Sequence, residues 1–356
     1  MGSEILYDLS PMVRIYKNGR VERLVGTETV DPSFDEKTGV ESKDVTIEWG
    51  PTPWYHGLLG TKTVDPSFEK KTGVESKDAI IAPVPKPWYP VVSGRLYIPR
   101  DAIGSLQKLP VLVYYHGGGF IVETAWSPTY HNYLNALVAE ANVVAISVDY
   151  RRAPEHPLPV AYEDSLFALE WVASHSAGNG PEEWLNSCAN LKKVFLAGDS
   201  AGANIINYIG TRLDIKRLNG IEVPGVMMVH PYFWGNHPLP SETCDPKTRS
   251  FYEMFWHAAN PKTTGYDDPL INPGKDPRIS SLYWKKVLVC VAGKDVLRYR
   301  GLFYKTILRA LGWYGVLEEM ESPGEDHVFH LLNPTGENAV KLMKRLVSFM
   351  NEDEDK

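Results

Sequence analysis

The sequence predicts an α/β protein with one mostly parallel central sheet and helices on both of its faces. From about residue 92 onward, short apolar runs rich in β-branched and aromatic residues alternate with helix-length stretches. The runs are nearly continuously apolar, the pattern of strands covered on both sides. Glycine-rich and acidic motifs stand where the runs end, and sheets of this kind hold their sites at the carboxyl ends of the strands.

Taken in order, residues 93–98 (SGRLYI) and 109–115 (LPVLVYY) read as strands, the second stopping at a run of glycines. Helix is expected over 130–141, strand over 143–150 (VVAISVDY) and helix over 160–174. Residues 193–198 (KVFLAG) form the next strand and 201–216 the helix after it. Strands at 225–230 (GVMMVH), 286–292 (KVLVCVA) and 315–320 (GVLEEM) follow, with helices over 296–311 and 336–350. Such helices supply the long crossovers that parallel pairing requires.

With 356 residues, 43% of them hydrophobic, the chain can bury one large core unaided. A formal charge of −7 leaves no basic stripe for phosphates, so nucleic acid is not an expected partner. Cys188, Cys244 and Cys290 show neither disulfide nor zinc spacing, and neither a metal nor a cofactor is expected. The start, MGSEIL, lacks a basic segment followed by an apolar one, and no run is long enough to span a membrane. The expectation is a cytoplasmic monomer or homodimer with no membrane partner.

Residues 1–92 read as a separate N-terminal segment carrying a tandem duplication. GTETVDPSFDEKTGVESKD from Gly26 to Asp44 recurs as GTKTVDPSFEKKTGVESKD from Gly60 to Asp78, an offset of 34 residues, and Pro53-Trp54-Tyr55 recurs as Pro87-Trp88-Tyr89. Helical repeats can have this period, but the Asp-Pro and Lys-Thr-Gly turn signals contradict paired helices, and two copies are too few for a stacked array. Residues 93–356 form the second part, which carries the chemistry.

Gly198-Asp199-Ser200-Ala201-Gly202 follows an apolar strand and opens a helical run. In that context G-x-S-x-G makes a sharp turn that pushes the serine hydroxyl out at the top of a sheet, next to the free N–H groups of a helix start. A serine helix cap with packing glycines is the plainer alternative. His116-Gly117-Gly118-Gly119-Phe120 follows another strand. Gly117, Gly118 and Gly119 can aim backbone N–H groups at a developing oxyanion, with Gly118 and Gly119 as donors and the Ala201 N–H completing the set. A phosphate loop would end in Lys-Ser or Lys-Thr, whereas Phe120-Ile121 follows here. His116 reads as a loop anchor. Asp295 ends an apolar strand and His327 follows one, giving the order Ser, Asp, His that α/β-hydrolases show. Glu325 and Asp326 are rival carboxylates that read as a solvated turn. Ser200 would attack an acyl carbon, His327 would move its proton, and Asp295 would hold the imidazole.

The chain resembles the plant carboxylesterases of the hormone-sensitive-lipase branch of the α/β-hydrolases, a group that includes 2-hydroxyisoflavanone dehydratases and gibberellin receptors. The likeness runs through YKNGRVER at 16–23, HGGGF at 116–120, YRRAPEHPLP at 150–159, GDSAGAN at 198–204, HPYFWG at 230–235, DDPLINP at 267–273, AGKD at 292–295 and GEDHVFH at 324–330. It implies a cap, built partly from residues 1–92, and ester substrates with modest acyl groups. The family pattern carries one copy of TGVESKD, so the second is an insertion near the cap, and Tyr299 stands where relatives often have Asp.

Two other functions compete with ester hydrolysis. Receptors of the group lack the catalytic histidine, which His327 supplies here. A lyase or cyclase acting on a plant metabolite would use the same base and oxyanion site, although the dehydratases often carry Thr in place of the nucleophile. Phe120, Ile121, Tyr130, Phe233 and Trp234 are candidate pocket walls, with core packing the alternative. Arg151, Arg152 and Glu155 are expected in a buried polar brace beneath the site. Activity should fall as His327 protonates below about pH 6.5.

Overall fold

The computed structural model describes residues 4–48, 91–213, 218–243 and 245–352. The second copy of the duplication, the repeated Pro-Trp-Tyr and Cys244 lie outside the described residues. The described residues within 4–47 and 92–352 form one compact unit.

Three short strands, β1 (Ile5–Leu9), β2 (Val13–Tyr16) and β3 (Val21–Arg23), pair antiparallel in a small sheet of their own. The next strands, β4 (Phe34–Asp35) and β5 (Val40–Ile47), come from the first copy of the duplication and join the main sheet. The change of pattern near residue 92 marks the start of β6 (Val92–Pro99), which pairs antiparallel with β5. The duplication reads from the sequence as a loop-and-strand segment, and its first copy does supply strands, although their bounds could not be drawn there.

The rest of the main sheet is β7 (Leu109–Tyr115), β8 (Val144–Asp149), β9 (Ala189–Asp199), β10 (Val226–Val229), β11 (Lys286–Ala292) and β12 (Val316–Ser322). Its order is β12-β11-β10-β9-β7-β8-β6-β5-β4. The six strands from β12 to β8 run parallel, and β6, β5 and β4 extend the sheet antiparallel. After β7 the chain crosses to β8 on one side, and after β8 it returns to β9 on the other. The β7/β9 boundary is therefore a topological switch point, where open α/β sheets form their crevice.

Alternate residues of the central strands enter two separate cores. Leu112, Tyr114, Phe195, Ala197, Leu288 and Cys290 pack beneath α1 (Pro128–Ala141) and α8 (Glu337–Asn351). Val111, Val113, Val194, Leu196, Val287 and Val289 pack beneath α2 (Val160–Ala173), α4 (Ala201–Arg212) and α6 (Arg298–Ala310). Because both faces are covered, neither set can be polar, and this explains the unbroken apolar runs. Edge strand β12 carries Glu318, Glu319 and Glu321, paired with Arg345, Lys305 and Arg298; charges of this kind discourage another strand from adding to the edge.

The remaining helices are α3 (Glu183–Cys188), α5 (Pro246–Ala259) and α7 (Phe329–Leu332). The sequence reading missed α5. Its start was nevertheless marked: Asp245 caps it by accepting the Thr248 N–H at 2.8 Å, with Pro246 in the first turn. Helix α5 packs on β1, which joins the N-terminal sheet to the region above the switch point.

Candidate active site

Ser200 lies where β9 gives way to α4, with φ 52° and ψ −113°. This left-handed backbone costs a non-glycine residue about 1–3 kcal/mol and persists only where the surroundings hold it. Here the Ser200 N–H donates to the Val229 carbonyl at 2.9 Å, and the Ser200 carbonyl accepts from Tyr232 N–H at 3.0 Å and Asn204 N–H at 3.1 Å. A Cβ on Gly202 would overlap the Tyr115 carbonyl oxygen, so only glycine lets α4 approach β7 this closely. Ser200 sits at the helix cap position, yet its hydroxyl makes no capping bond. It lies 3.0 Å from His327 Nε2 instead.

The turn after β12 presents His327, whose Nδ1 is 2.7 Å from Asp295 Oδ2. Asp295, in the turn after β11, is buried, and its other oxygen accepts the Leu297 N–H at 2.9 Å. With Asp295 ionised, Nδ1 carries the proton and Nε2 is left to accept from the Ser200 hydroxyl. Burial works against a charged imidazole, but the Asp295 carboxylate, helped by Asp199 and Asp326, outweighs it and raises the His327 pKa above the ordinary 6.5. The direction is upward from the 6.5 expected on the sequence alone. The rival carboxylates are engaged elsewhere: Asp326 accepts the backbone N–H of His327 at 3.0 Å, and Glu325 accepts from Asn338 at 2.8 Å.

His230 escaped the sequence reading as a site residue, although it begins the HPYFWG motif at a strand end. It is buried at φ 48°, and its Nδ1 accepts the Val328 N–H at 3.0 Å, directly after His327. Burial holds its pKa well below the usual value, with His330 and His327 adding repulsion, so the ring stays neutral and able to accept. His230, Asp295 and His327 each bring a possible metal-ligand atom within 4.8 Å of the others. In the metal-free arrangement the three groups serve one another and their neighbours: His230 accepts from Val328, Asp295 from His327, and His327 Nε2 faces the Ser200 hydroxyl.

The glycine loop after β7 corrects one expectation. The Gly117 N–H donates to Tyr130 Oη at 2.8 Å and is not free to meet an oxyanion. Gly118 and Gly119, at φ 93° and 60°, have no amide acceptor among the described residues, and Ala201 opens α4, where the first amides lack helical partners. His116 anchors the loop: it is fully buried, stacks on Tyr150 with ring centres 4.3 Å apart, and burial lowers its pKa to about 3.

The five candidate pocket residues are core residues, all buried. Phe120 meets Tyr162 and Trp256 edge-on, Phe233 packs on Tyr304, and Trp234 stacks on Tyr252. Ile121 belongs to the same core, and Tyr130 is held by hydrogen bonds. Phe255 of α5, which the sequence reading did not name, lies with its ring against Gly119.

The brace at 150–159 also differs from expectation. Its buried acid is Asp164, which accepts from Arg151 N, Nε and a terminal nitrogen at 3.0, 2.9 and 2.8 Å. Glu155 is exposed and pairs with Arg23 of β3. Arg23 also donates to the Ile121 carbonyl at 2.7 Å and the Ala153 carbonyl at 3.1 Å.

A doubly covered parallel sheet with a strained serine after β9, a carboxylate after β11 and an imidazole after β12 defines an α/β enzyme built around a nucleophile elbow. A family model described as the alpha/beta hydrolase fold matches residues 112–331, and the chain belongs to that family. It is 44% identical to probable carboxylesterase 13 of Arabidopsis thaliana over 99% of this chain and 100% of that one. It is 36% identical to the 2-hydroxyisoflavanone dehydratase of Glycyrrhiza echinata, over 98% of this chain and 96% of that one. Among solved structures, an esterase of Pyrobaculum calidifontis superposes with a TM-score of 0.62 at 24% identity, covering 87% and 84% of the two chains.

Proposed function

We propose that this protein is a serine carboxylesterase working through an acyl-enzyme. The observation that carries the reading is the placement of His327, with one ring nitrogen 3.0 Å from Ser200 Oγ and the other 2.7 Å from Asp295. Ser200 Oγ attacks the ester carbonyl carbon as His327 takes its proton. The amides of Gly118, Gly119 and Ala201 receive the oxyanion, and His327 then protonates the departing alkoxide. Water, activated by the same histidine, releases the acid.

Carboxylesterase relatives at 40–44% identity over nearly the full length support the reaction class. Phe255 against Gly119 narrows the space beside the loop, which favours small acyl groups. A reducing compartment such as the cytoplasm suits the buried, unpaired Cys188 and Cys290. No helix among the described residues is long and apolar enough to cross a membrane.

Turnover of p-nitrophenyl acetate and butyrate that disappears in a folded Ser200→Ala variant is the expected result; a folded wild type without turnover would sink the reading. The dehydratase relative motivates a second reading, elimination in the same pocket. Conversion of a 2-hydroxyisoflavanone with no ester turnover would favour it.

A further inference from the structure

Asp199, the residue before the serine, is fully enclosed and faces the underside of the glycine loop. Its Oδ1 accepts from Tyr114 Oη at 2.8 Å and its Oδ2 from Tyr130 Oη at 2.9 Å. Burial pushes its carboxyl up to about 6, and the two tyrosine hydroxyls act in the opposite direction. Both tyrosines are buried neutral donors whose own pKa values burial raises. With its proton given to Asp199, Tyr130 Oη presents a lone pair, and the Gly117 N–H fills it at 2.8 Å. On the other side of the same peptide unit, Tyr150 Oη donates to the His116 carbonyl at 2.8 Å. A side chain at Gly117 would overlap Asp199 Oδ2, so the loop must be glycine here for contact with the acid below.

We infer that Asp199 and Tyr130 are positioning residues for the oxyanion site: they hold the Gly117 N–H downward, so that the next two amides are left facing the reacting oxygen. This rests on the esterase reading above. Asp199 adjoins Ser200 in the chain, so a single carboxylate sets both the nucleophile's strand end and the loop that faces it. Tyr114 donates to the same carboxylate and, among the described residues, its hydroxyl makes no hydrogen bond to the loop, which makes it the internal control.

The test compares Tyr130→Phe, Tyr114→Phe and Asp199→Asn. Active sites are counted by fluorophosphonate labelling, so that unfolded protein does not enter kcat. A trifluoromethyl ketone reports the oxyanion site directly: Ser200 Oγ bonds to its carbonyl carbon, the hydroxyl proton passes to His327, and the carbonyl oxygen becomes the anion. Tyr130→Phe is expected to lower kcat by roughly 10- to 100-fold with little change in KM, and to weaken the ketone by a similar factor. Tyr114→Phe should lower Tm as much while holding kcat within about threefold. Asp199→Asn should follow Tyr130→Phe, and it decides the matter if that variant does not fold. Equal kcat losses in the two tyrosine variants, or an unchanged kcat in Tyr130→Phe, would overturn the inference and leave the esterase reading standing. A wild type that neither hydrolyses esters nor takes the label would remove both.

Discussion

Arg23 Nε donates to the Ile121 carbonyl at 2.7 Å, so the small N-terminal sheet is fastened to the loop that carries Gly118 and Gly119. The same guanidinium forks onto Glu155 at 2.8 and 2.6 Å. Arg23→Ala is expected to destabilise the fold by about 2 kcal/mol, because two carbonyls lose a charged donor together. Arg23→Lys should recover little of this, since an ammonium cannot reproduce the fork. Urea unfolding of the three proteins checks both; a lysine variant as stable as the wild type would contradict the fork's role.

The acid limb of kcat/KM should lie above pH 6.5. Hydrolysis needs neutral His327, protonation removes the base, and the nearby carboxylates raise the pKa at which that happens. In Asp295→Asn the main opposition to desolvation is gone, so the limb moves to lower pH. At its plateau kcat should drop by about 10³–10⁴, as loss of the orienting acid does in other triads. Full pH–rate profiles of both proteins decide it, and a limb that stays put in the variant would remove Asp295 from its role.

His230→Ala should lower kcat by roughly tenfold while leaving Ser200 in place, because the Val328 N–H loses its acceptor and the turn bearing His327 loosens. Fluorophosphonate labelling slowed in parallel with turnover is the expected signature. Unchanged rates would mean that the turn holds His327 without this bond.

Arg95 of β6 is fully buried and forks onto Asp44 of β5 at 2.6 and 2.9 Å. Asp44→Ala strands that charge. The cost should be about 3 kcal/mol, the low end for breaking a buried pair, because Asp44 is itself 41% exposed. Thermal unfolding should show a clear fall in Tm for Asp44→Ala, with a smaller one for Asp44→Glu, which keeps the charge.

Much of this was written in the sequence, and the exceptions have physical reasons. The strands at 109–115 and 286–292 were legible to the residue, because both faces of each are buried and their interior positions had to be apolar. Ser200, Asp295 and His327 were legible because each stands at a strand end beside turn-forming residues. The fate of Gly117 was not: which of three glycine amides is free depends on Tyr130, thirteen residues further on in α1. Phe233 and Trp234 could not be assigned to wall or core, because an aromatic residue after a strand looks the same until its ring has found Tyr304 or Tyr252.

The order in which the sheet's parts occur along the chain has a consequence for biosynthesis. Ser200 emerges after β9, Asp295 after β11, and His327 only after edge strand β12. A growing polypeptide thus exposes its serine well before it has a base to activate it, and becomes reactive only when the last strand has docked. A fragment that contains Ser200 but ends before residue 327 would carry it as an inert hydroxyl, so premature termination or C-terminal cleavage yields silent protein in place of an unregulated hydrolase.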